Sequence, residues 1–453
     1  MRRLIDAGAI VLIATVGLTG CSNTSSPDVP DAAAPENFNF NYQSAYGQSG
    51  LSQPYAGPTT TGQSYGAGVA INPSDPSQKV YTLVEASPNI GVGGPRGAFP
   101  ASSRTIPPNS TPASYLGPYY VVRRTSDGAI DPTFGANGYL GAFPNSADTS
   151  YRFSGLCLDP GTGSIVLVGQ QTTSSGPVGV VERLIPPASG SGTAALDTSF
   201  NPGGPTPGVV TIATPNGNNS PAPNGCSVVD AGAGHSGAIF VSGVDDAASS
   251  SLLLVGKISS SGSFDASFGT NGIVEYPVDS VQGSGTSAQI INVSLSGASS
   301  FPDVILSGFS FTKGTKNGPA AKATALTVAV NDATGALDTN FNGTGQLINP
   351  NYGEAVLARA HAGSNGGTAS DLYIVYGTAG TYASAFVDYP ITRGVPDIAN
   401  PAATQTGTFA VPSDFASMQG FTFDSRGQIL VSGDTSSNKE MLTAIGGSKP
   451  LGH

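Results

Sequence analysis

Chemistry in this chain would have to come from few residues. It holds three histidines, one of them the terminal His453. His235 lies in Asp230-Ala231-Gly232-Ala233-Gly234-His235-Ser236-Gly237, and His361 lies in Arg359-Ala360-His361-Ala362-Gly363; both segments read as turns between strands. A hydrolase would pair such a histidine with an acid and a serine nucleophile. No spacing here supports that pairing, and no Gly-x-Ser-x-Gly elbow stands between a strand and a helix. Glu182, Asp245 and Asp246 are the acids that could serve a carbohydrate-active reaction. Gly-rich segments such as Gly91-Val92-Gly93-Gly94 are not followed by helices, so they are loops and not phosphate cradles. Of the three cysteines, Cys157 and Cys226 are too few for a zinc site. No metal or cofactor is expected. In an oxidising compartment the two invite a disulfide if their Cα atoms come within about 7 Å; otherwise they are two buried thiols.

The third cysteine sits in a different context. Met1-Arg2-Arg3 opens the chain, and an apolar stretch of about 12 residues follows from Ala7 to Leu18, the length of a signal-peptide core and short of the roughly 20 needed to span a bilayer. Leu18-Thr19-Gly20-Cys21 then resembles the bacterial lipobox. The resemblance implies that residues 1–20 are removed and that Cys21 carries the lipid, a palmitate-type acyl anchor of more than one chain, enough for stable membrane attachment. Ser22 after the cysteine implies the outer membrane. Residues 21–36, rich in Ser, Pro and Ala, read as the lipidated cysteine and a flexible tether.

Composition bounds the rest. Charged residues are only 10% of 453, with 62 Gly, 35 Pro, no Trp and a net charge of −11. An acidic chain without basic patches is a poor nucleic-acid ligand. Short β-branched runs punctuated by Gly and Pro predict an all-β protein.

The body repeats. Asp127-Gly128-Ala129-Ile130-Asp131-Pro132-Thr133-Phe134-Gly135, Ala195-Leu196-Asp197-Thr198-Ser199-Phe200-Asn201, Gly262-Ser263-Phe264-Asp265-Ala266-Ser267-Phe268-Gly269 and Gly335-Ala336-Leu337-Asp338-Thr339-Asn340-Phe341-Asn342 share the pattern apolar-Asp-x-x-Phe-(Gly/Asn). Their aspartates are 66, 68 and 73 residues apart. Tyr46–Leu51 and Val395-Pro396-Asp397 are degenerate copies. A second element recurs between them, a strand ending in Gly: Ile165–Gly169, Ile239–Gly243, Val304–Gly308, Tyr373–Gly377 and Ile429–Gly433. In the first unit Val80–Val84 takes that place without the Gly.

The Asp-Phe motif resembles the delta-60 repeat of bacterial secreted proteins, over roughly residues 42–446, with departures at Asn201 and Asn342. Six units of four short strands each predict a β-propeller over residues 37–446, six blades in the first instance and seven as the alternative, followed by a tail at 447–453. In the third unit the expected strands are Val209–Ala213, Ser227–Asp230, Ile239–Gly243 and Leu252–Ile258. Asp131, Asp197, Asp265 and Asp338 are expected to accept backbone N–H groups and fix the turns between blades. Phe134, Phe200, Phe268 and Phe341 are expected to fill the wedges between neighbours. A calcium ring would need a denser ladder of Asp and Asn. The chain ends, near Leu51–Tyr55 and Met441–Ile445, should meet in the closing blade.

Anchor, tether and ring predict an envelope lipoprotein whose propeller is a non-enzymatic platform for an envelope protein or glycan. The long insertion from Ala86 to Gly117 reads either as the candidate binding loop or as a disordered Pro/Ser/Gly excursion. The alternative is an envelope lyase or hydrolase acting on carbohydrate in the propeller funnel.

Overall fold

The computed structural model describes residue 52 and residues 63–72, 75–87, 119–141, 143–148, 150–187, 193–213, 221–246, 251–277, 286–295, 303–312, 322–362, 370–377, 383–392, 395–401, 403–408, 415–423, 428–435 and 440–445. Cys21 with its signal and tether, the degenerate motif at Tyr46–Leu51, most of the long insertion and the tail at 447–453 lie outside these residues.

Every described element is a strand. The first sheet holds β1 (Gln63–Ile71), β2 (Val80–Ser87), β3 (Tyr119–Arg124) and β4 (Tyr139–Leu140) in that order. The second holds β5 (Tyr151–Leu158), β6 (Ile165–Thr173), β7 (Gly176–Leu184) and β8 (Val209–Ile212). The third is β9 (Pro221–Val228), β10 (Ile239–Asp246), β11 (Ser251–Ile258) and β12 (Ile273–Pro277). The fourth is β13 (Thr286–Leu295), β14 (Asp303–Thr312), β15 (Lys322–Asn331) and β16 (Gln346–Asn349). In the fifth, β17 (Glu354–Ala362), β18 (Ser370–Gly377) and β19 (Ala383–Thr392) are flanked by β20 (Val395–Pro396) and β21 (Ala403–Thr408), which share the outer edge of β19. The sixth is β22 (Phe415–Phe423), β23 (Ile429–Thr435) and β24 (Glu440–Ile445).

All neighbouring strands are antiparallel, and each sheet is a simple meander. The first strand of each sheet touches the first strand of the next, and β22 returns to β1. This is a β-propeller, with first strands inside and fourth strands outside. A single sheet of this size cannot bury both faces; radial stacking lets each face cover its neighbour. The core accordingly lies in the seams. One cluster joins Tyr81, Tyr119 and Leu140 of the first sheet to Phe153, Leu167 and Val180 of the second. Another joins Val168 and Val181 to Val241 and Leu254.

The recurring glycine of the second strand has a precise steric cause. Each innermost strand carries a bulge opposite or beside that position, at Gly66/Gly68, Phe153/Gly155, Pro223/Gly225, Ile290/Asn292, Ala355/Leu357 and Met418/Gly420. The bulge pushes a carbonyl into the space a side chain would need. A Cβ on Gly169 would lie 2.0 Å from the Arg152 carbonyl oxygen, and one on Gly243 would lie 2.2 Å from that of Ala222. In the first sheet the residue directly opposite is itself a glycine, Gly66, and Val84 stands where the other sheets have Gly. Most of these second strands also run two to four residues past the glycine.

The unit frame expected from the repeats needs shifting by one strand. Val209–Ile212 is not the first strand of the third sheet; it is the outermost strand of the second. The third sheet begins at Pro221.

The ring closes as the sequence led us to expect at its ends. Ser52 is buried beside β24, its N–H donating to the Leu442 carbonyl at 2.9 Å and its hydroxyl accepting from the Leu442 N–H at 2.8 Å. Arg124 of β3 bonds Glu440 of β24 at 2.5 Å, with both side chains fully buried. Val69 and Val80 pack on Leu430, Leu442 and Ala444 across the same seam.

Candidate functional site

The Asp-Phe motif connects the third strand to the fourth within one sheet, and not one blade to the next. Each aspartate opens the turn the same way: its N–H donates to the third-strand carbonyl of Arg123, Arg183, Lys257 or Ala329, and the Phe N–H donates back to the aspartate carbonyl. One carboxylate oxygen accepts the N–H two residues on, from Thr133, Ser199, Ser267 and Asn340, at 3.0 Å in all four. Two positively twisted residues then complete the turn. The first, Gly135, Asn201, Gly269 or Asn342, has φ of 53°, 51°, 55° or 52°, and the second, Gly138, Gly208, Gly272 or Gly345, has φ of 96°, 93°, 85° or 79°. The two asparagines tolerate this region and use it, donating from Nδ2 to the carbonyls of Val209 and Gln346. Asparagine is among the few non-glycine residues that visit this region routinely, so the turn is kept at both departures.

A basic partner, unseen in the sequence pattern, completes the motif. The second oxygen of Asp131 pairs with Lys79 and Arg123, both at 3.0 Å; that of Asp197 with Arg183 at 2.8 Å; that of Asp265 with Lys257 at 3.1 Å. The same cations lie over the motif rings, Arg123 at 4.7 Å from Phe134, Arg183 at 4.5 Å from Phe200 and Lys257 at 6.0 Å from Phe268. Ala329 stands at the corresponding place in the fourth sheet, so Asp338 has no such cation among the described residues. Burial raises the Asp131 carboxyl, but hydrogen bonds from Thr133 and Lys79 and the Arg123 charge outweigh it and hold the pKa down to about 2. Bonds from Ser267 and Lys257 hold Asp265 down to about 2 as well.

Motif turns also grip one another. Arg183 Nη1 donates to the Ser260 carbonyl and Asn201 N–H to that of Ser261; Lys257 Nζ donates to Asp332 and Gly269 N–H to Thr334. The four rings of Phe134, Phe200, Phe268 and Phe341 are essentially fully buried in the seams. Asp397 keeps a related turn, accepting from the Asn400 N–H, with Pro390 in the place of the cation.

Cys157 and Cys226 form a disulfide between β5 and β9, with Cα atoms 5.7 Å apart. It joins the innermost strands of the second and third sheets near their motif ends. His235 is exposed on the β9–β10 turn, which docks on Gly161 through the Gly234 N–H; His361 on β17 pairs in register with Asp371 on β18, but its side chain, like all of His453, lies outside the described residues.

The nominated acids are placed as follows. Glu182 on β7 faces the first sheet and is fully buried, one oxygen accepting from Asn145 Nδ2 at 2.5 Å. Burial pushes its carboxyl up to about 8, with Asp148 adding to the rise, so it is a neutral acid at pH 7. Asp245 near the end of β10 is also fully buried; the Asp246 side chain lies outside the described residues. Sequence reasoning missed the partner of Asp245. Glu275 on β12 converges on it, and burial together with the hydrogen bond and negative charge of Asp245 pushes the Glu275 carboxyl up to about 7. The only sequence signal was an acid two residues after the start of a fourth strand, which a repeat scan does not weigh. Among the described residues no group of three His, Cys, Asp or Glu could hold a metal ion.

No protein-family model and no curated protein matches the chain. Among solved structures, it is similar to the GH93 α-L-arabinofuranosidase of Fusarium graminearum with arabinobiose, at TM-score 0.43 and 10% identity over 88% of this chain and 97% of that one. A second structure of that arabinofuranosidase, with an iminosugar inhibitor, gives TM-score 0.43 and 9% identity over 89% and 98% of the two chains. Drosophila semaphorin 1b, extracellular domains 1–2, gives 0.33 and 8% over 85% and 88%. Likenesses this distant bear on neither activity nor partner.

Proposed function

We propose that this chain is a lipid-anchored lipoprotein of the bacterial cell envelope, attached through Cys21, whose β-propeller is a rigid binding platform for an envelope protein or glycan. The observation that carries the non-catalytic reading is the burial of Glu182 and Asp245, the nominated acids whose side chains are described. Both side chains are fully buried, Glu182 on the face toward the first sheet and Asp245 on the face toward the second. The motif aspartates are likewise committed to turns and ion pairs. The disulfide suits an oxidising compartment.

Two experiments test the two halves. Cys21→Ser should abolish incorporation of labelled fatty acid and shift the protein from the membrane fraction to the soluble one; retention in the membrane would overturn the anchor. The anchored, intact protein should recover a specific envelope protein or glycan from detergent extract, and recovery of none would overturn the platform.

A second reading, a carbohydrate-active enzyme, is favoured by one feature, the convergence of Asp245 and Glu275. Glycosidases hold their two carboxyls roughly 5–9.5 Å apart with the sugar or a water between them, whereas Asp245 is fully buried. Hydrolysis of an aryl-glycoside panel that disappears in Glu275→Gln would nevertheless establish it.

A further inference from the structure

Ser52 stands in the register of a fourth strand. In the first four sheets the residue two places after the turn glycine pairs with the third strand: Leu140 with Val121, Val210 with Val181, Val274 with Val255 and Leu347 with Thr327. Each of those partners lies two residues before Arg123, Arg183, Lys257 or Ala329. Ser52 likewise comes two residues after Gly50, and it bonds Leu442, two residues before Ala444. The degenerate motif copy agrees with this alignment. Gln43 takes the place of its aspartate and Ala444 that of the cation, so both members of the ion pair are replaced together.

This register gives the chain a direction. In each meander the first-to-second and third-to-fourth turns emerge at one end of the sheet, the motif face of the ring. The second-to-third turns and the links to the next sheet emerge at the opposite face. Every fourth strand therefore runs from the motif face to the opposite one. Residues 53–62 lead from Ser52 to β1 as residues 141–150 lead from Leu140 to β5. Upstream of Ser52, toward Cys21, the chain heads for the motif face at the outer edge of the ring.

The length of that upstream chain sets what the lipid can reach. Strands of eight to ten residues make the ring roughly 30 Å thick. Even if residues 21–45 were all flexible, their r.m.s. span would be about 25–30 Å. Carrying Cys21 round the edge to the opposite face uses that whole span, whereas attachment on the motif side uses none of it. Charge does not replace the tether. Lys79, Arg123, Arg183 and Lys257 on the motif face are engaged by its aspartates and are not offered to anionic headgroups.

We propose that the motif face is the membrane-proximal face of the ring, and that the opposite face is turned away from the bilayer as the surface offered to a partner. The orientation rests on the lipid anchor at Cys21 proposed above.

Energy transfer to a lipid-borne acceptor tests this on the full, lipidated chain in vesicles. Donor dyes are placed on Ala233→Cys, exposed in the β9–β10 turn of the motif face, and on Ser175→Cys, exposed in the β6–β7 turn of the opposite face, with the native disulfide intact. Transfer should be at least about twofold higher from Ala233→Cys than from Ser175→Cys. Thr339→Cys, exposed in the motif turn of the fourth sheet, should match Ala233→Cys. Inserting about 40 flexible residues after Glu36 should erase the difference, because the longer tether reaches round the ring. A difference that survives the insertion would overturn the tether as its cause. Equal transfer from the two faces, or higher transfer from Ser175→Cys, would overturn the orientation. Co-sedimentation reports the anchor separately: a chain that does not pellet with the vesicles refutes the anchor, and one that pellets with equal transfer refutes the orientation alone.

Discussion

An aspartate that only caps a turn and one that also anchors a cation are chemically different residues, although the motif writes them alike. Asp197 and Asp338 make the comparison within one chain. Each accepts the N–H two residues on at 3.0 Å, but only Asp197 holds Arg183, a nearly buried guanidinium that spans Phe200 and the Ser260 carbonyl. Asp338→Ala removes a turn bond and should cost about 1 kcal/mol. Asp197→Ala also strands the Arg183 charge between sheets, and its cost should approach the 3–5 kcal/mol of a broken buried pair. Urea denaturation of the two variants measures the difference, and equal losses would mean that the cation adds nothing. The aspartates and phenylalanines were legible in the sequence because they recur at fixed offsets. Lys79, Arg123, Arg183 and Lys257 were not, because strand pairing brings them to the motif from variable distances: Arg183 stands 14 residues before its aspartate and Lys257 eight.

At the scale of the strand, repeated glycines mark backbone approaches. The glycine of the second strand looked like a terminus because glycine commonly ends strands; the structure makes it the point where the inner-strand bulge needs room. Gly243→Ala should therefore destabilise by about 2–3 kcal/mol, the range of an overpacked core, even though alanine is the better strand former. A thermal melt indistinguishable from wild type would refute that steric account. Glycine 163 is a useful control, since a Cβ there would meet nothing within 4 Å, although its φ of 71° carries a conformational cost of its own. The shifted unit frame has a related cause. A meander is continuous in sequence, so periodicity gives the length of the repeat without showing which strand stands at the axis; only the contacts of β1, β5 and β9 do.

Across the whole molecule, ring closure and pH become the testable properties. Deleting residues 37–56 removes Ser52 from β24 and should lower the melting temperature; an unchanged melt would exclude a role for this segment in closure. Two sets of acids pull stability in opposite directions. Asp131 and Asp265, held down to about 2, contribute stability that is present above the ordinary 3.8 and lost as pH falls through about 2. Glu182 and Glu275, pushed up to about 8 and about 7, contribute stability that is present below the ordinary 4.5 and lost as pH rises through those values. The melting temperature should therefore peak in mildly acidic solution, at about pH 4–5. Glu182→Gln should flatten the arm above that peak, and a maximum at pH 8 would contradict the assignment.

The sequence by itself determined the all-β class, the repeating unit and the residues of its turn, because backbone preferences of Asp, Asn and Gly act over a few neighbouring residues. It also carries the whole case for the anchor at Cys21. Tertiary structure alone decided which strands lie innermost, that Cys157 meets Cys226, and that Arg124 meets Glu440 from the far end of the chain. It alone decided that Glu182 and Asp245 are enclosed in seams and that Glu275 joins Asp245. The physical reason is common to all of these: radial stacking sets neighbours by the twist and packing of whole sheets, and no local spacing in the chain encodes which side chains two stacked faces bring together.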